Sequence, residues 1–252
     1  MRAVDVLKRI ISRSPFGAPA KLLYRRLWPL TVAEINARYD SQTSEVLSRV
    51  LSPDSNCLDI GAHTGSILTL ILRHAQKGRH MAFEPLPHLA GQLRLDFPQV
   101  DVQQVALSDV PGTTTFQYVV SNPGYSGLRR RRYDRPNEEI ETITVTSARL
   151  DDLVPPDRLV HFVKIDVEGA ELQVLRGGVE TLRRSRPFIV FEHGIGGADY
   201  YGTTPDAVFE VLVEQCGLRM TVMDRWLTGA RPFMRAEFIQ QCKRDFYFLA
   251  YP

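Results

Sequence analysis

The chain has 252 residues, of which 44% are apolar and 24% charged, a composition typical of a globular protein with one large α/β core. Lysine and arginine total 31 against 29 acidic residues, and a formal charge of +2 gives no reason to expect a nucleic-acid partner. The three cysteines, Cys57, Cys216 and Cys242, show no CxxC pairing, which excludes a typical cysteine metal motif and favours a reducing, cytoplasmic compartment.

The first 30 residues are basic and amphipathic. Apolar residues recur at helical spacing at Val4, Leu7, Ile10 and Ile11, and a second basic apolar stretch covers 21–30. Neither stretch has the continuous apolar run of a signal peptide or a membrane span. We therefore expect two short helices in an N-terminal helical extension over 1–52, ahead of a main domain over 53–252. They either pack on that domain or contact a membrane surface peripherally or a partner.

From about residue 56, short apolar runs alternate with longer amphipathic runs, the pattern of βα units around a parallel sheet. Predicted strands cover 56–60, 79–84, 101–106, 159–166, 187–192, 219–224 and 246–251. Predicted helices cover 66–76, 88–96, 170–184 and 205–216, the third interrupted at Gly177 and Gly178. No crossover helix is predicted between the last two strands, which favours an antiparallel pair at one edge of the sheet.

Two further segments, 113–120 and 140–147, alternate in polarity and predict a hairpin within about 113–147. The loop between them, 121–139, contains Pro123, Gly124, Gly127 and the run Arg129–Arg132. Long loops are often functional, so we expect a lid-like loop over a binding site, with a solvated surface loop as the alternative. In a lid, the arginines would suit phosphate or carboxylate oxygens, because guanidinium groups bind those oxygens bidentately.

The first predicted strand runs into a helix through the glycine turn Asp59–Gly65. Glycines permit a tight turn and a close approach of a ligand, although a purely structural turn is the alternative and the dinucleotide fingerprint is incomplete. The second predicted strand ends at Phe83-Glu84-Pro85, about twenty residues further on, where an acidic side chain can accept both hydroxyls of a ribose. The two motifs together predict a nucleotide-type cofactor.

The fourth predicted strand ends at Asp166-Val167-Glu168-Gly169, at the edge where open sheets bind ligands. Asp166 and Glu168 face the same way if the strand persists through them. Glu171 is better explained by the dipole of the following helix. The fifth strand ends beside them at Glu192-His193-Gly194. Histidine suits a general base, so His193 is a candidate, with an unpaired surface histidine as the alternative.

A series of motifs lies in a fixed order between residues 56 and 193. They are Asp59–Gly65, Phe83-Glu84-Pro85, Ala106-Leu107-Ser108-Asp109, Leu150–Leu153, Lys164–Glu171 and Arg186-Pro187. Together they resemble the FkbM family of S-adenosylmethionine-dependent methyltransferases. The resemblance implies a Rossmann-like class I methyltransferase sheet of seven strands with the last strand antiparallel. It also implies O-methylation of a sugar, a glycolipid or another natural product. His63 departs from the family pattern, which more often has asparagine there.

The resemblance implies S-adenosylmethionine as the cofactor. The candidate cofactor-binding residues are Asp59, Gly61, His63, Gly65, Glu84, Pro85, Ala106, Leu107 and Asp166. The candidate catalytic residues are His193, Asp166 and Glu168. Either His193 or Asp166 takes the proton of the acceptor hydroxyl, or Asp166 and Glu168 hold a divalent ion that lowers the hydroxyl pKa. The metal-free route is the one we favour.

Other function classes share parts of this pattern. A nicotinamide-dependent oxidoreductase would use the glycine turn and the ribose carboxylate, but it would not require an antiparallel edge strand. A non-catalytic binding protein could retain the fold, although it would not need intact cofactor motifs. Nucleobase methylation is disfavoured, because the fourth strand does not end in an Asn/Asp-Pro-Pro-aromatic turn. We therefore expect a small-molecule or glycosylated acceptor and no nucleic acid.

Overall fold

The computed structural model describes residues 32–133, 137–194 and 196–252. The chain divides into two compact units, 1–42 and 43–252. Helix α1 is Val32–Val50, of which residues 32–42 are the described part of the first unit. Val46 and Leu47, which belong to the second unit, are fully buried. The two helices predicted within residues 1–30 lie outside the described residues. None of the helices in the described ranges is long and apolar enough to cross a bilayer.

The described residues of the second unit, 43–133, 137–194 and 196–252, contain ten strands. They are β1 (Cys57–Ile60), β2 (Met81–Phe83), β3 (Asp101–Gln103), β4 (Ala106–Leu107), β5 (Gly112–Val119), β6 (Ile140–Ala148), β7 (Phe162–Ile165), β8 (Phe188–Glu192), β9 (Arg219–Thr221) and β10 (Tyr247–Tyr251). Seven of them form one sheet in the order β3-β2-β1-β7-β8-β10-β9. Strand β10 is antiparallel to both of its neighbours, while the strands from β3 to β8 in this order are parallel. The seven-stranded sheet with an antiparallel last strand is confirmed.

Short helices connect these strands. After α1 come α2 (Ser66–His74), α3 (Pro87–Asp96), α4 (Leu150–Leu153), α5 (Glu171–Arg176), α6 (Val179–Ser185), α7 (Pro205–Phe209), α8 (Met223–Leu227) and α9 (Arg235–Gln241). The break between α5 and α6 at Gly177 is confirmed, and a Cβ on this glycine would lie 2.2 Å from the carbonyl oxygen of Ser108. The sequence predicted no clear crossover helix between the last two strands, and β9 and β10 pair antiparallel. Helices α8 and α9 lie there, but five and seven residues are too few to show helical periodicity.

The predicted third strand is also divided. Its first part, β3, stays in the main sheet, whereas β4 pairs with β6 in a second sheet of order β4-β6-β5. Strands β5 and β6 form the predicted hairpin, with a register that runs from Gly112 opposite Ser147 to Val119 opposite Ile140. This small sheet brings the loop between β5 and β6 to the carboxyl edge of the main sheet, where Gly124 lies beside the end of β1.

The core explains why the strand ends meet at one place. All four residues of β1 and all four of β7 are buried, as expected of parallel strands covered on both faces. Apolar side chains such as Leu58, Val163 and Phe191 are fully buried, and each contributes about 1.5–3 kcal/mol to folding. This packing aligns β1, β2, β7 and β8, so that the loops after them form one edge.

Candidate active site

Two adjoining cavities open at the carboxyl ends of β1, β2 and β7. Cavity A is lined by residues that follow β2 and β3, among them Glu84, Pro85, Leu86, Ala106 and Leu107, and by Phe116 of β5 and Leu128 of the loop after β5. Cavity B is lined by Asp59, Ala62, Ser66, Ile67 and Lys164. The two share Gly61, His63, Gly124, Asp166 and Glu168. They enclose about 570 and 580 Å³ including space open to solvent, within the range of small-molecule sites.

The glycine turn after β1 is shaped by the protein's own packing. Gly61 has φ +78°, and a Cβ there would lie 1.9 Å from the carbonyl oxygen of Asp166. Gly65 has φ +79°, and a Cβ there would lie 2.3 Å from the ring of Phe97. Gly61 lines both cavities, whereas Gly65 lines neither. The glycines therefore allow neighbouring segments of the protein to approach closely. From the sequence, the need for glycine had been explained by the close approach of a ligand.

Glu84 is buried at the end of β2 and lines cavity A. Its Oε2 accepts the backbone N–H of His63 and its Oε1 that of Leu86, both at 2.9 Å. His63, the donor of the first bond, has a left-handed backbone with φ +49°. Burial raises the pKa of Glu84, although the two N–H groups oppose the shift. Each oxygen retains a second lone pair for a ligand hydroxyl.

Cavity A has an apolar wall. Pro85 and Leu86 follow β2, and Ala106 and Leu107 form β4, so the residues predicted for this part of the cofactor site do come together. Sequence reasoning missed Phe116, which faces the same cavity from β5. Phe116 is buried, whereas its neighbours along β5 are more exposed. The alternation of apolar and polar residues in this strand already indicated that Phe116 faces inward.

Asp166 lies at the junction of the two cavities and accepts two strong hydrogen bonds. Its Oδ2 accepts from Lys164 Nζ and from the Tyr247 hydroxyl, each at 2.9 Å. The ammonium of Lys164 also lies 4.7 Å from the centroid of the Tyr247 ring. Burial would raise the pKa of Asp166, but the charge of Lys164 and the hydrogen bonds outweigh it and lower the pKa. Asp166 is therefore a fixed anion and a weak base.

Glu192, at the end of β8, hydrogen-bonds to Asp166. Burial, and then the negative charges of Asp166 and Glu168, raise the pKa of Glu192 well above its ordinary value, so it is the protonated donor of this pair. Sequence reasoning did not assign Lys164, Glu192 or Tyr247 to the site. Lys164 and Glu192 are charged residues within apolar strands, and this pattern could have indicated a functional site. Tyr247 carries no such signal in the sequence, because it reaches the site only through the pairing of β10 with β8.

Glu168 lines both cavities and has φ +59°, which is uncommon for a residue other than glycine. Such a conformation costs about 1–3 kcal/mol and is frequent at functional sites. Burial and the charge of Asp166 raise the pKa of Glu168 to about 8, against the opposing charge of Arg131. Strand β7 ends at Ile165, so the predicted reason for Asp166 and Glu168 facing the same cavities is wrong. The left-handed backbone of Glu168 brings them together instead.

The loop between β5 and β6 lines both cavities through Gly124. Two of its four arginines have partners within the protein. The backbone N–H of Arg129 donates to the Tyr201 hydroxyl at 2.9 Å. The guanidinium Nη1 of Arg129 donates to the Tyr200 carbonyl oxygen at 3.0 Å. Arg131 forms an ion pair with Glu168. Arg131 is therefore paired within the protein, while the expectation that the arginines of this loop bind an anionic acceptor stays a prediction.

His193 is not brought to either cavity. Its side chain is 2% exposed, and its Nδ1 has no hydrogen-bond partner among the residues that the structure describes. Burial lowers its pKa to about 4, so it is a neutral imidazole within the protein. Glu171 has a structural position as well: its Oε1 accepts the backbone N–H groups of Val167 and Gly169 at 3.2 and 3.1 Å and shapes the loop after β7.

The carboxylates do not fit the divalent ion that the sequence offered as an alternative. Asp166 is paired with Lys164, and Glu168 is paired with Arg131, so protein cations already occupy the positions nearest to both. Within 32–133, 137–194 and 196–252, no group of three or more His, Cys, Asp or Glu side chains could hold a metal.

The chain is similar to methyltransferases in sequence and in fold. Residues 59–220 match the model of the methyltransferase FkbM domain family. The 2-O-methyltransferase NoeI of Sinorhizobium fredii is 31% identical over 171 residues, which cover 59% of this chain and 67% of NoeI. The AMB antimetabolite synthetase AmbE of Pseudomonas aeruginosa is 31% identical over 173 residues, which cover 53% of this chain and 8% of AmbE.

Among solved structures, methyltransferase FkbM from Methylobacillus flagellatus KT superposes with a TM-score of 0.50 and 14% sequence identity. The match covers 80% of this chain and 44% of that chain. At this level of identity, the similarity establishes a shared fold.

Proposed function

Because the chain belongs to the FkbM family of S-adenosylmethionine-dependent methyltransferases, we propose that it methylates a hydroxyl oxygen of a sugar, a glycolipid or another natural product. The proposal depends on the junction of the two cavities, which both Asp166 and Glu168 line. The pKa of Asp166 is lowered, so it is an anion, whereas Glu168 titrates near neutral pH. The printed activity of NoeI, a 2-O-methyltransferase, supports oxygen as the acceptor atom.

The residues at the cavities fit S-adenosylmethionine. Glu84 has lone pairs left for the two ribose hydroxyls, and the apolar wall with Leu86 and Leu107 suits the face of a purine. In cavity B, the buried Oδ2 of Asp59 has no hydrogen-bond partner among the described residues. Burial raises the pKa of Asp59 to about 7. The amino group of a methionine moiety would supply the donor that this carboxylate lacks.

We expect Glu84→Gln to weaken S-adenosylmethionine binding by about 1.5–3 kcal/mol, or roughly 10- to 150-fold in Kd, the range for hydrogen bonds to a charged group. Glutamine has nearly the same volume, and its carbonyl oxygen still accepts one of the two backbone N–H bonds. Isothermal titration calorimetry measures the change, with the exposed Glu141→Gln as the matched control. An affinity equal to that of the control would contradict the ribose assignment.

When bound, S-adenosylmethionine supplies an electrophilic methyl group on a sulfonium, and transfer to oxygen requires the hydroxyl to lose its proton. Glu168 takes this proton, because it lines both cavities and its raised pKa matches the task near neutral pH. Asp166 is a weaker base, since three donors stabilise its charged form. Its fixed negative charge favours a cationic ligand at the junction of the cavities.

The charges around the site support a neutral, hydroxylated acceptor. Arg131 is paired with Glu168, and Arg129 donates one guanidinium bond to the Tyr200 carbonyl oxygen, so two of the four arginines already have partners within the protein. The protonated Glu192 and the ionised Asp166 provide a donor and an acceptor of the kind that sugar hydroxyls require.

The function is tested by transfer of a labelled methyl group from S-adenosylmethionine to a panel of monosaccharides, glycolipids and hydroxylated natural products. We expect the label in an alkali-stable methyl ether, located by NMR spectroscopy of the product. Label in a base-labile ester or on nitrogen would contradict the O-directed assignment. Binding of S-adenosylmethionine without transfer to any member of the panel would favour the non-catalytic alternative.

A further inference from the structure

The part of the loop between β5 and β6 that covers residues 121–133, called the lid loop here, touches the site in two ways. Gly127 pairs with Gln117 of β5, and a Cβ on Gly127 would lie 3.5 Å from the Cβ of Glu168. Arg131 forms its ion pair with the carboxylate of the same glutamate. The lid loop therefore lies beside Glu168 at its Cβ atom and pairs with its carboxylate.

We propose that Arg131 is a positioning residue of the methyl-transfer reaction: it holds the lid loop against the site, orients the Glu168 carboxyl toward the acceptor and favours its ionised form. The inference rests on the proposed function, because it takes Glu168 as the group that accepts the hydroxyl proton. It assigns to the lid loop a part in the chemistry in addition to a part in covering the cavities.

The side chain of Arg131 is held from two directions. On one side it pairs with Glu168, and on the other its guanidinium lies 5.1 Å from the ring centroid of Tyr125 and 5.7 Å from that of Tyr133. Cation–π contacts of this kind fix an arginine more firmly than solvent does. Both tyrosines belong to the lid loop, so the position of the loop determines where the positive charge stands.

The ion pair is largely removed from solvent. The side chains of Arg131 and Glu168 are 15% and 18% exposed, so screening by water is weaker than for a surface pair. Removing one partner from such a pair leaves an uncompensated charge, which is far more costly than losing a surface contact. Loss of Arg131 would raise the pKa of Glu168, so that its carboxylate takes up a proton.

Among the described residues, two cations lie near this part of the site: Arg131 pairs with Glu168, whereas Lys164 pairs with Asp166. The titratable and charged groups around Glu168 come from β7 and the loop after it, β8, α5, β10 and the turn after β8: Lys164, Asp166, Glu171, Glu192, Tyr201 and Tyr247. Asp166 and Glu171 raise the pKa of Glu168, and Arg131 lowers it. Glu168 must be ionised to act as a base. Loss of Arg131 should therefore move the acid limb of the profile of kcat against pH to higher pH.

The experiment compares Arg131→Gln, Arg131→Lys and Arg130→Gln, the last an exposed neighbour in the same loop. Glutamate labelled with ¹³C at its carboxyl carbon is incorporated, and the Glu168 signal is assigned by its loss in Glu168→Gln. We expect the titration midpoint of Glu168 to rise by about one to three pH units in Arg131→Gln, as for loss of an adjacent opposite charge. It should stay near the wild-type value in Arg131→Lys and Arg130→Gln.

Two further readouts use the same variants. Chymotrypsin cleavage at Tyr125 and Tyr133 should be faster in Arg131→Gln alone, because the lid loop is released. With the acceptor found in the panel, the acid limb of kcat should move with the Glu168 midpoint, while the Kd of S-adenosylmethionine stays constant. An unchanged midpoint in Arg131→Gln would overturn the inference and leave the proposed function intact. A shifted midpoint with an unshifted kcat profile would overturn the positioning role.

Discussion

Glu168→Gln is expected to lower kcat by about 10²- to 10⁴-fold, the contribution of a general base, with little change in the affinity for S-adenosylmethionine. Glutamine keeps the volume of the side chain and can still accept a hydrogen bond from Arg131, so the lid loop retains its contact. It cannot take a proton from the acceptor. Single-turnover transfer of labelled methyl at saturating cofactor measures the loss, and calorimetry measures the affinity.

The matched control for this experiment is His193→Asn. His193 lines neither cavity and is a neutral buried imidazole, so the variant should keep most of its activity once its folding has been checked by thermal unfolding. If folded His193→Asn loses as much activity as Glu168→Gln, the proton acceptor has been assigned to the wrong residue.

Gly61→Ala is expected to abolish cofactor binding and to lower the melting temperature. The added Cβ would lie 1.9 Å from the Asp166 carbonyl oxygen, and a left-handed backbone costs an L-residue about 1–2 kcal/mol in addition. The loop after β7 must move, and it carries Asp166 and Glu168 with it. Thermal unfolding and calorimetric titration follow the two effects.

Gly91→Ala is the control for the glycine substitution. Gly91 lies within α3, and a Cβ there meets nothing within 4 Å, so alanine should leave binding unchanged and add up to about 1 kcal/mol of stability. Normal binding and an unchanged melting temperature in Gly61→Ala would show that the turn tolerates a side chain, contrary to the geometry.

The sequence by itself determined the order of the βα units, the glycine turn, the place of Glu84 and the sheet edge at which Asp166 and Glu168 lie. These features depend on local patterns: the polarity period distinguishes strands from helices, and parallel strands bring their carboxyl ends to one edge. The hairpin of β5 and β6 was predictable for the same reason, since its alternation of polarity is a local signal. The break between α5 and α6 was marked by two adjacent glycines.

Only the tertiary structure decided which side chains are partners. The Tyr247 hydroxyl bonds to Asp166 across 81 positions, and Arg131 reaches Glu168 across 37, and no periodicity relates residues so far apart. The exclusion of His193 from the cavities, in spite of its position after a strand, likewise depends on burial. Even the direction of Glu168 required the fold, because its positive φ is stable only where the packed loop after β7 compensates for the strain.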